Sequence, residues 1–277
     1  MAAINSISSE KLHRLIGTPG CPFVIDVRTD EAFAALPSFI PGAVHRAHEG
    51  VADWAGAIVN RPTIVACRKG HEISAGVTDW LQASGVPAEK LEGGVEGWAE
   101  QGYPLVPAVA LPPRDREGRT IWVTRARPKV DRIACPWLIR RFVDRDAMFL
   151  FAPAAEVEAV GARFAATPFD VEGVHWSHRG ELCTFDVMVE EFGLSGFPAL
   201  ERLAAIVRGA DTGRPDLAPQ AAGLLAVSLG LSRMHGDDHE QLAAGLPLYD
   251  ALYRWCRDAT DETHDWVSHT RSARVKA

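Results

Sequence analysis

Cys67 stands where a short apolar run gives way to a polar turn. The run 63–67 (TIVAC) is β-branched and has no polar alternation, which predicts a buried strand. An amphipathic pattern that begins near Glu72 predicts a helix directly after the turn. A cysteine in that position lies above helix N–H groups that have no internal acceptor, at the positive end of the helix dipole. The placement favours the thiolate, which is the nucleophilic form of cysteine.

The turn after Cys67 supplies further chemistry. Arg68 and Lys69 add positive charge beside the sulfur, and the same N–H groups would stabilise a persulfide anion. The turn is therefore able to attack a sulfur donor and hold the sulfur that it removes. We take the substrate-binding loop to be Arg68, Lys69, Gly70, His71 and Glu72. The alternative for Cys67 is a buried core cysteine that closes a strand, and the alternative for His71 is an exposed loop residue.

The segment 67–72 (CRKGHE) resembles the active-site loop of rhodanese-type sulfurtransferases, which opens with the catalytic cysteine and has glycine three residues later. Three other phrases resemble the same family in the same order: IDVR at 25–28, FIPGAVH at 39–45 and LEGGVEGW at 91–98. The resemblance implies a persulfide on Cys67, a small-molecule sulfur donor, a thiol acceptor and no cofactor for sulfur transfer. Asp26 and Arg28 are expected to fix the strand end and to take no part in the chemistry.

Glu72 departs from the family pattern. Many members that use thiosulfate carry arginine near the end of this loop, and a carboxylate there should repel a dianionic donor. Thiosulfate is therefore expected to be a poor substrate. Glutathione persulfide, a protein persulfide or an oxidised metal or metalloid oxyanion are the alternatives to test.

Strand and helix patterns alternate through the first hundred residues, which predicts an α/β domain with a parallel sheet covered on both faces. A proline-rich and then charged stretch, 102–119, interrupts all periodicity. We predict a rhodanese-like domain at 1–104, a linker at 105–119 and a second domain at 120–277, each with its own core. The predicted strands are 23–27, 63–67, 121–125 and 148–152. The predicted helices are 8–16, 30–35, 72–84, 95–101, 131–143, 155–164, 184–192, 198–207, 220–229 and 238–257, the last broken near Pro247.

The second domain is predicted to be an α-rich α+β fold, with its aromatic residues at helical spacing in the core. Three phrases in it, KVDRIACPWLIRRFVDRD, VHWSHRGELCTFDVMVEEFG and SRMHGDDHEQL, resemble the C-terminal domain of the chromate-resistance protein B family. The resemblance implies an association with chromate export systems. It does not specify the chemistry of the domain.

Histidine and carboxylate side chains in two loops of the second domain predict a metal site. We assign the ligands to His178, Asp211, Asp238 and His239, a set that suits zinc, iron or manganese. Each residue also has an ordinary structural explanation. Asp238 can cap the helix that follows it, His178 can satisfy a turn, and Asp211 can end a helix.

The net charge of −7 disfavours a general affinity for nucleic acid, although the basic stretch 114–145 could face an oxyanion. No apolar run reaches the roughly 20 residues that a membrane span needs, and the first residues lack a signal-peptide pattern. We therefore expect a cytoplasmic protein whose five cysteines are reduced thiols.

The preferred function is a cytoplasmic rhodanese-type sulfurtransferase acting through a Cys67 persulfide, associated with chromate or oxidative-stress resistance. The alternative is a chromate- or metal-responsive regulator in which the rhodanese domain is a redox module. It would need a DNA-reading helix, and the basic segment 132–145 carries apolar residues that predict a half-buried helix instead. A third candidate is an oxidative-stress enzyme with a metal centre in the second domain.

Overall fold

The computed structural model describes residues 5–263. The elements of the first part are β1 (Ser6–Ile7), α1 (Ser9–Leu15), β2 (Phe23–Asp26), α2 (Asp30–Ala35), β3 (Ser38–Phe39), β4 (Ala43–His45), α3 (Val51–Trp54), β5 (Thr63–Ala66), α4 (Glu72–Ala83), β6 (Ala88–Leu91), α5 (Gly94–Glu100) and β7 (Val106–Pro107). Short 3-10 turns cover His48–Gly50, Ala55–Ile58 and Ala108–Ala110.

The first part is built on a parallel sheet with the strand order β1-β6-β5-β2-β4. Every residue of β2 and β5 is buried, as their uninterrupted apolar runs predict. Leu12 of α1 and Trp98 of α5 belong to the core on one face of the sheet, and Val77 and Leu81 of α4 belong to the core on the other. The predicted α/β architecture is confirmed, and it places Cys67 directly after the central strand β5.

The elements of the second part are β8 (Ile121–Arg125), α6 (Asp131–Leu138), β9 (Met148–Ala152), α7 (Val157–Phe164), β10 (Thr167–Pro168), α8 (Thr184–Glu191), α9 (Pro198–Asp211), α10 (Ala221–Met234) and α11 (Asp238–Asp258). A π-helical turn, Ile139–Val143, continues α6, and 3-10 turns cover Ala154–Glu156 and Pro215–Leu217. The small sheet is parallel in the order β10-β8-β9. The α-rich α+β prediction is confirmed, while the short strand β10 gave no pattern in the sequence.

The predicted break in the last helix is wrong, because α11 runs without interruption through Pro247. A proline in a helix interior removes one hydrogen bond and costs about 3 kcal/mol. Packing holds this helix together: Leu242, Tyr249 and Tyr253 are buried along one side of it. Gly245 lets the helix approach α6 so closely that a β-carbon there would lie 2.6 Å from Ile133 Cγ2.

Each part has an apolar cluster of its own, as expected, but the two cores are not fully separate, because a third cluster contains residues of both parts. Phe142 lies at their junction, with its ring centroid 5.3 Å from Phe197 and 5.6 Å from Tyr253. A β-carbon on Gly17 of the first part would lie 2.4 Å from Phe142 Cζ, and Gly42 N–H donates to the Phe142 carbonyl at 2.6 Å. The two parts therefore pack directly on each other.

The predicted linker is partly structured. Val106 of β7 pairs in antiparallel register with Phe39 of β3, and its side chain is buried. The domain boundary itself stays a prediction. All five cysteines lie within the described range and are free thiols, and none of the helices described at 5–263 is long and apolar enough to cross a membrane.

Candidate functional site

The sulfur of Cys67 lies on the inside of the loop between β5 and α4. The residue is 4% exposed. Its Sγ accepts a hydrogen bond from Gly70 N–H at 3.2 Å and donates to Ser74 Oγ, in the first turn of α4, at 3.2 Å. The Ser74 hydroxyl donates to the His71 carbonyl at 3.1 Å. Because a hydroxyl rotates, Ser74 can accept from the thiol or donate to the thiolate. The loop therefore carries hydrogen-bond donors for a negatively charged sulfur.

The glycine turn before α5 is hydrogen-bonded to the backbone of the cysteine loop and supports it. Val95 N–H donates to the Cys67 carbonyl at 2.9 Å, and Glu96 N–H donates to the Arg68 carbonyl at 3.0 Å. Gly94 has φ +61°, and a β-carbon there would lie 2.3 Å from the Cys67 carbonyl oxygen. Only glycine fits this contact, so the motif at 91–98 acts as a support for the cysteine loop.

The cysteine faces a surface cavity of about 400 Å³. It is lined by Arg28, Thr29, Glu31, Ala32, Ala35, Cys67, Arg68, Lys69, His71, Glu72 and Ile73. Arg68 and Lys69 are each 58% exposed at the side chain, and both pair with Glu96 of α5. These two cations are thus partly neutralised, while Glu31 and Glu72 add negative charge to the cavity wall.

Asp26 and Arg28 form a buried ion pair, with Arg28 Nη2 2.6 Å from Asp26 Oδ2. Arg28 also donates to the carbonyls of Leu36 and Ser38 at 2.9 and 2.7 Å. The pair ties the end of β2 to the segment that leads into β3. This is the structural role expected for the two residues, although Arg28 also lines the cavity.

A second cluster of titratable groups lies in the second part, around His178. His178 Nε2 is 3.2 Å from Asp211 Oδ2, 3.4 Å from Asp170 Oδ1 and 3.6 Å from Asp131 Oδ2. We call these four residues the His178 cluster. His178 and Asp211 are among the ligands predicted from the sequence, and Asp131 and Asp170 are not. Asp131 could have been found from the sequence, because it is a carboxylate at the start of the largely apolar helix α6.

The other two predicted ligands have different partners. Asp238 Oδ1 accepts a hydrogen bond from Arg127 N–H at 3.1 Å, and the His239 ring packs edge-on against Phe151 at 5.2 Å between centroids. Asp237 caps α11 by accepting from the N–H groups of His239 and Glu240. The histidine and acidic residues at the start of α11 thus serve packing and capping in the described structure.

The His178 cluster is electrostatically unusual. Burial, reinforced by the charges of Asp211 and Asp170, raises the pKa of Asp131 well above its ordinary value. The contact with Asp170, together with the charges of Asp131 and Asp211, raises the pKa of His178 to about 9. Burial alone would raise the pKa of Asp170, but its contacts with His178, Thr184 and nearby arginines lower it below the ordinary value. The surrounding carboxylates therefore favour the protonated form of the His178 imidazole.

The fold and the Cys67 loop together define a rhodanese-like domain, and the family model for the rhodanese-like domain matches residues 8–101. Residues 122–256 match the model for the C-terminal domain of ChrB. The chain thus carries a rhodanese-like domain followed by a ChrB C-terminal domain. Protein ChrB from Cupriavidus metallidurans is 36% identical to this chain over 145 residues. The match covers 51% of this chain and 42% of the length of that protein.

Two solved structures resemble the first part. A rhodanese-like domain protein from Staphylococcus aureus is 29% identical, and the match covers 34% of this chain and 91% of that one at a TM-score of 0.31. A rhodanese-related protein from Thermoplasma volcanium is 26% identical, with 37% and 98% covered at a TM-score of 0.33.

Proposed function

We propose that the protein transfers sulfane sulfur through a persulfide on Cys67. The observation that carries this proposal is the position of Cys67 Sγ, held by Gly70 N–H at 3.2 Å beside a cavity of about 400 Å³. Rhodanese-like domains form a sulfurtransferase family in which some members are inactive. A small sulfur donor fits a cavity of this size, and the chemistry needs no cofactor.

The transfer proceeds in two displacements. The Cys67 thiolate attacks the sulfane sulfur of a donor, and the bond from that sulfur to the rest of the donor breaks. The rest of the donor leaves as a thiolate when the donor is a persulfide and as sulfite when it is thiosulfate. Cys67 then carries an S–S⁻ group. An acceptor thiolate attacks the outer sulfur and leaves with it, which returns Cys67 to the thiolate. Gly70 N–H and Ser74 Oγ–H stabilise the negative charge on Cys67 Sγ before the first step and after the second.

The biological setting is part of the proposal. The ChrB-type second part supports an association with chromate or oxidative-stress resistance, and we infer that the protein acts in the cytoplasm, where reduced thiols can serve as acceptors. The acceptor is a small thiol or a protein thiol, and an oxyanion is an additional candidate ligand.

The test is persulfide formation by the full chain, measured by mass spectrometry after exposure to glutathione persulfide or to thiosulfate. The Cys67→Ala variant should form no persulfide and show no sulfur transfer. Cys21→Ala is the matched control, because Cys21 is more exposed than Cys67 but lacks the loop. A wild-type protein that stays free of persulfide with both donors contradicts the proposal.

A second candidate is a chromate- or metal-responsive regulator. The shared apolar core favours it, since a conformational change in one part can alter the packing of the other part. A groove-reading role for the basic segment finds no support, because Trp137, Leu138, Ile139 and Phe142 are fully buried. Its arginines also bind within the protein: Arg140 donates to the Ala147 carbonyl, and Arg141 pairs with Asp250 at 2.8 Å. The persulfide experiment separates the candidates, since a regulator whose Cys67 is a redox sensor transfers no sulfur.

A further inference from the structure

The spacing of the His178 cluster differs from that of an ordinary ion-pair network. Charge-assisted N–H···O hydrogen bonds are typically about 2.7–2.9 Å long. The contacts from His178 Nε2 to the three carboxylates are longer, at 3.2, 3.4 and 3.6 Å. Two ligands of one tetrahedral ion lie roughly 3.3–3.6 Å apart when each bond is about 2.0–2.2 Å. One ligand atom from each of Asp131, Asp170 and His178 lies within 4.8 Å of the other two, and the distances from His178 Nε2 to Asp170 and Asp131 match the edges of a tetrahedral shell.

An independent observation comes from the buried carboxylate in the cluster. Asp131 has no exposed surface, and no donor in the described part of the chain reaches its Oδ1. A buried carboxylate oxygen without a hydrogen-bond partner is strongly unfavourable. The other oxygen of the same carboxylate, Oδ2, lies 3.6 Å from His178 Nε2, at the edge of the cluster. A cation between them would supply the partner that Asp131 lacks.

The groups behind the cluster are arranged to orient ligands. The N–H of Thr184, at the start of α8, donates to Asp131 Oδ2 at 2.6 Å, and its hydroxyl donates to Asp170 Oδ1 at 2.9 Å. Arg132 lies 3.2 Å from the other oxygen of Asp170. Outer contacts of this kind hold carboxylate ligands in metalloproteins. These contacts orient the Asp131 and Asp170 side chains before an ion binds.

We propose that Asp131, Asp170 and His178 form a binding site for a divalent transition-metal ion, with Asp211, whose Oδ2 lies 3.2 Å from His178 Nε2, as a further carboxylate beside it. Three carboxylates and one imidazole suit manganese, iron or zinc. His178 is 41% exposed and Asp211 is 19% exposed at the side chain, which leaves a route from solvent to the buried Asp131. The site lies wholly within the ChrB-type part, so its existence does not depend on sulfur transfer at Cys67.

Mn²⁺ is the probe of choice, because it binds oxygen and imidazole ligands and has little affinity for the free cysteines. The full chain, stripped with a chelator and dialysed, is titrated with Mn²⁺ while the free ion is followed by electron paramagnetic resonance. We expect saturable binding of about one ion per chain. His178→Gln and Asp211→Asn should each weaken binding by at least roughly tenfold. His239→Gln and Asp238→Asn are the matched controls and should bind like the wild type.

Pulsed measurements on the bound ion add a readout that needs no variant. Direct coordination by His178 gives a nitrogen coupling from the imidazole in the electron spin-echo spectrum of the wild type. This readout keeps the test decisive even if a cluster variant fails to fold, which circular dichroism would reveal. Absence of saturable Mn²⁺ binding by the folded wild type overturns the proposal. So does a bound ion without nitrogen coupling, or equal binding by folded His178→Gln.

Discussion

At the scale of single residues, the chemistry of Cys67 depends on the charges around its cavity. Arg68 and Lys69 stand beside the sulfur in sequence, but both side chains turn to Glu96 and stay largely exposed. Glu31 and Glu72 line the same cavity and add negative charge to its wall. The cavity thus offers little attraction to a dianion, which agrees with the expectation drawn from Glu72.

Replacing Glu72 with arginine should improve the use of thiosulfate. The change removes a negative charge and adds a positive one at the cavity wall, which we expect to raise kcat/KM for thiosulfate by about tenfold. Steady-state assays with thiosulfate and cyanide measure it. Glu100→Arg makes the same charge change at an exposed position outside the cavity lining and serves as the control. An equal gain in both variants would show that net charge, and not the cavity wall, governs donor choice.

Cys67 and its loop could be named from the sequence because the loop is continuous and its motif is compact. Only two members of the His178 cluster, His178 and Asp211, could be named, for the opposite reason. Asp131, Asp170, His178 and Asp211 come from separate segments that only the tertiary fold brings together. Asp238 and His239 looked equally suitable as ligands, since a local group of polar residues has the same composition whether it binds an ion or caps a helix.

At the scale of elements, the turn before α5 is the support on which the cysteine loop rests. Gly94→Ala should reduce persulfide formation by at least roughly tenfold, because the new β-carbon would meet the Cys67 carbonyl and the Gly70 nitrogen. Gly85→Ala is the control: Gly85 has φ +82° but open space around it, so it tests the backbone cost alone, about 1 kcal/mol. Persulfide yield by mass spectrometry is the measurement. Equal losses in the two variants would mean that backbone strain, and not the contact with the loop, is responsible.

Buried strands and amphipathic helices were predictable wherever the pattern was long. The predicted strands 121–125 and 148–152 coincide with β8 and β9, and the helix 30–35 coincides with α2. Short edge strands such as β10 have too few residues for a pattern. The helix break predicted at Pro247 is wrong because the packing of α11 outweighs the low helix propensity of proline, and packing cannot be seen in the sequence.

At the scale of the whole molecule, Phe142 joins the two parts through one core. Phe142→Ala should lower the free energy of unfolding by about 3–5 kcal/mol, the usual cost of removing a buried phenylalanine. Phe164→Ala is the control, since Phe164 is 59% exposed and should cost far less. Urea unfolding is followed both by tryptophan fluorescence and by the reactivity of Cys67. A single core requires the two wild-type transitions to coincide, and separate midpoints would refute that coupling.

The shared core also has a consequence for synthesis of the chain. The apolar cluster that contains Leu12 and Trp98 of the first part also contains Phe142 and Tyr253, which leave the ribosome long after β7. At ordinary elongation rates the delay is roughly ten to thirty seconds. During that time the nascent rhodanese-like part displays an apolar surface without its cover. Its yield should therefore depend on translation speed and on chaperones that bind such surfaces until α11 has been synthesised.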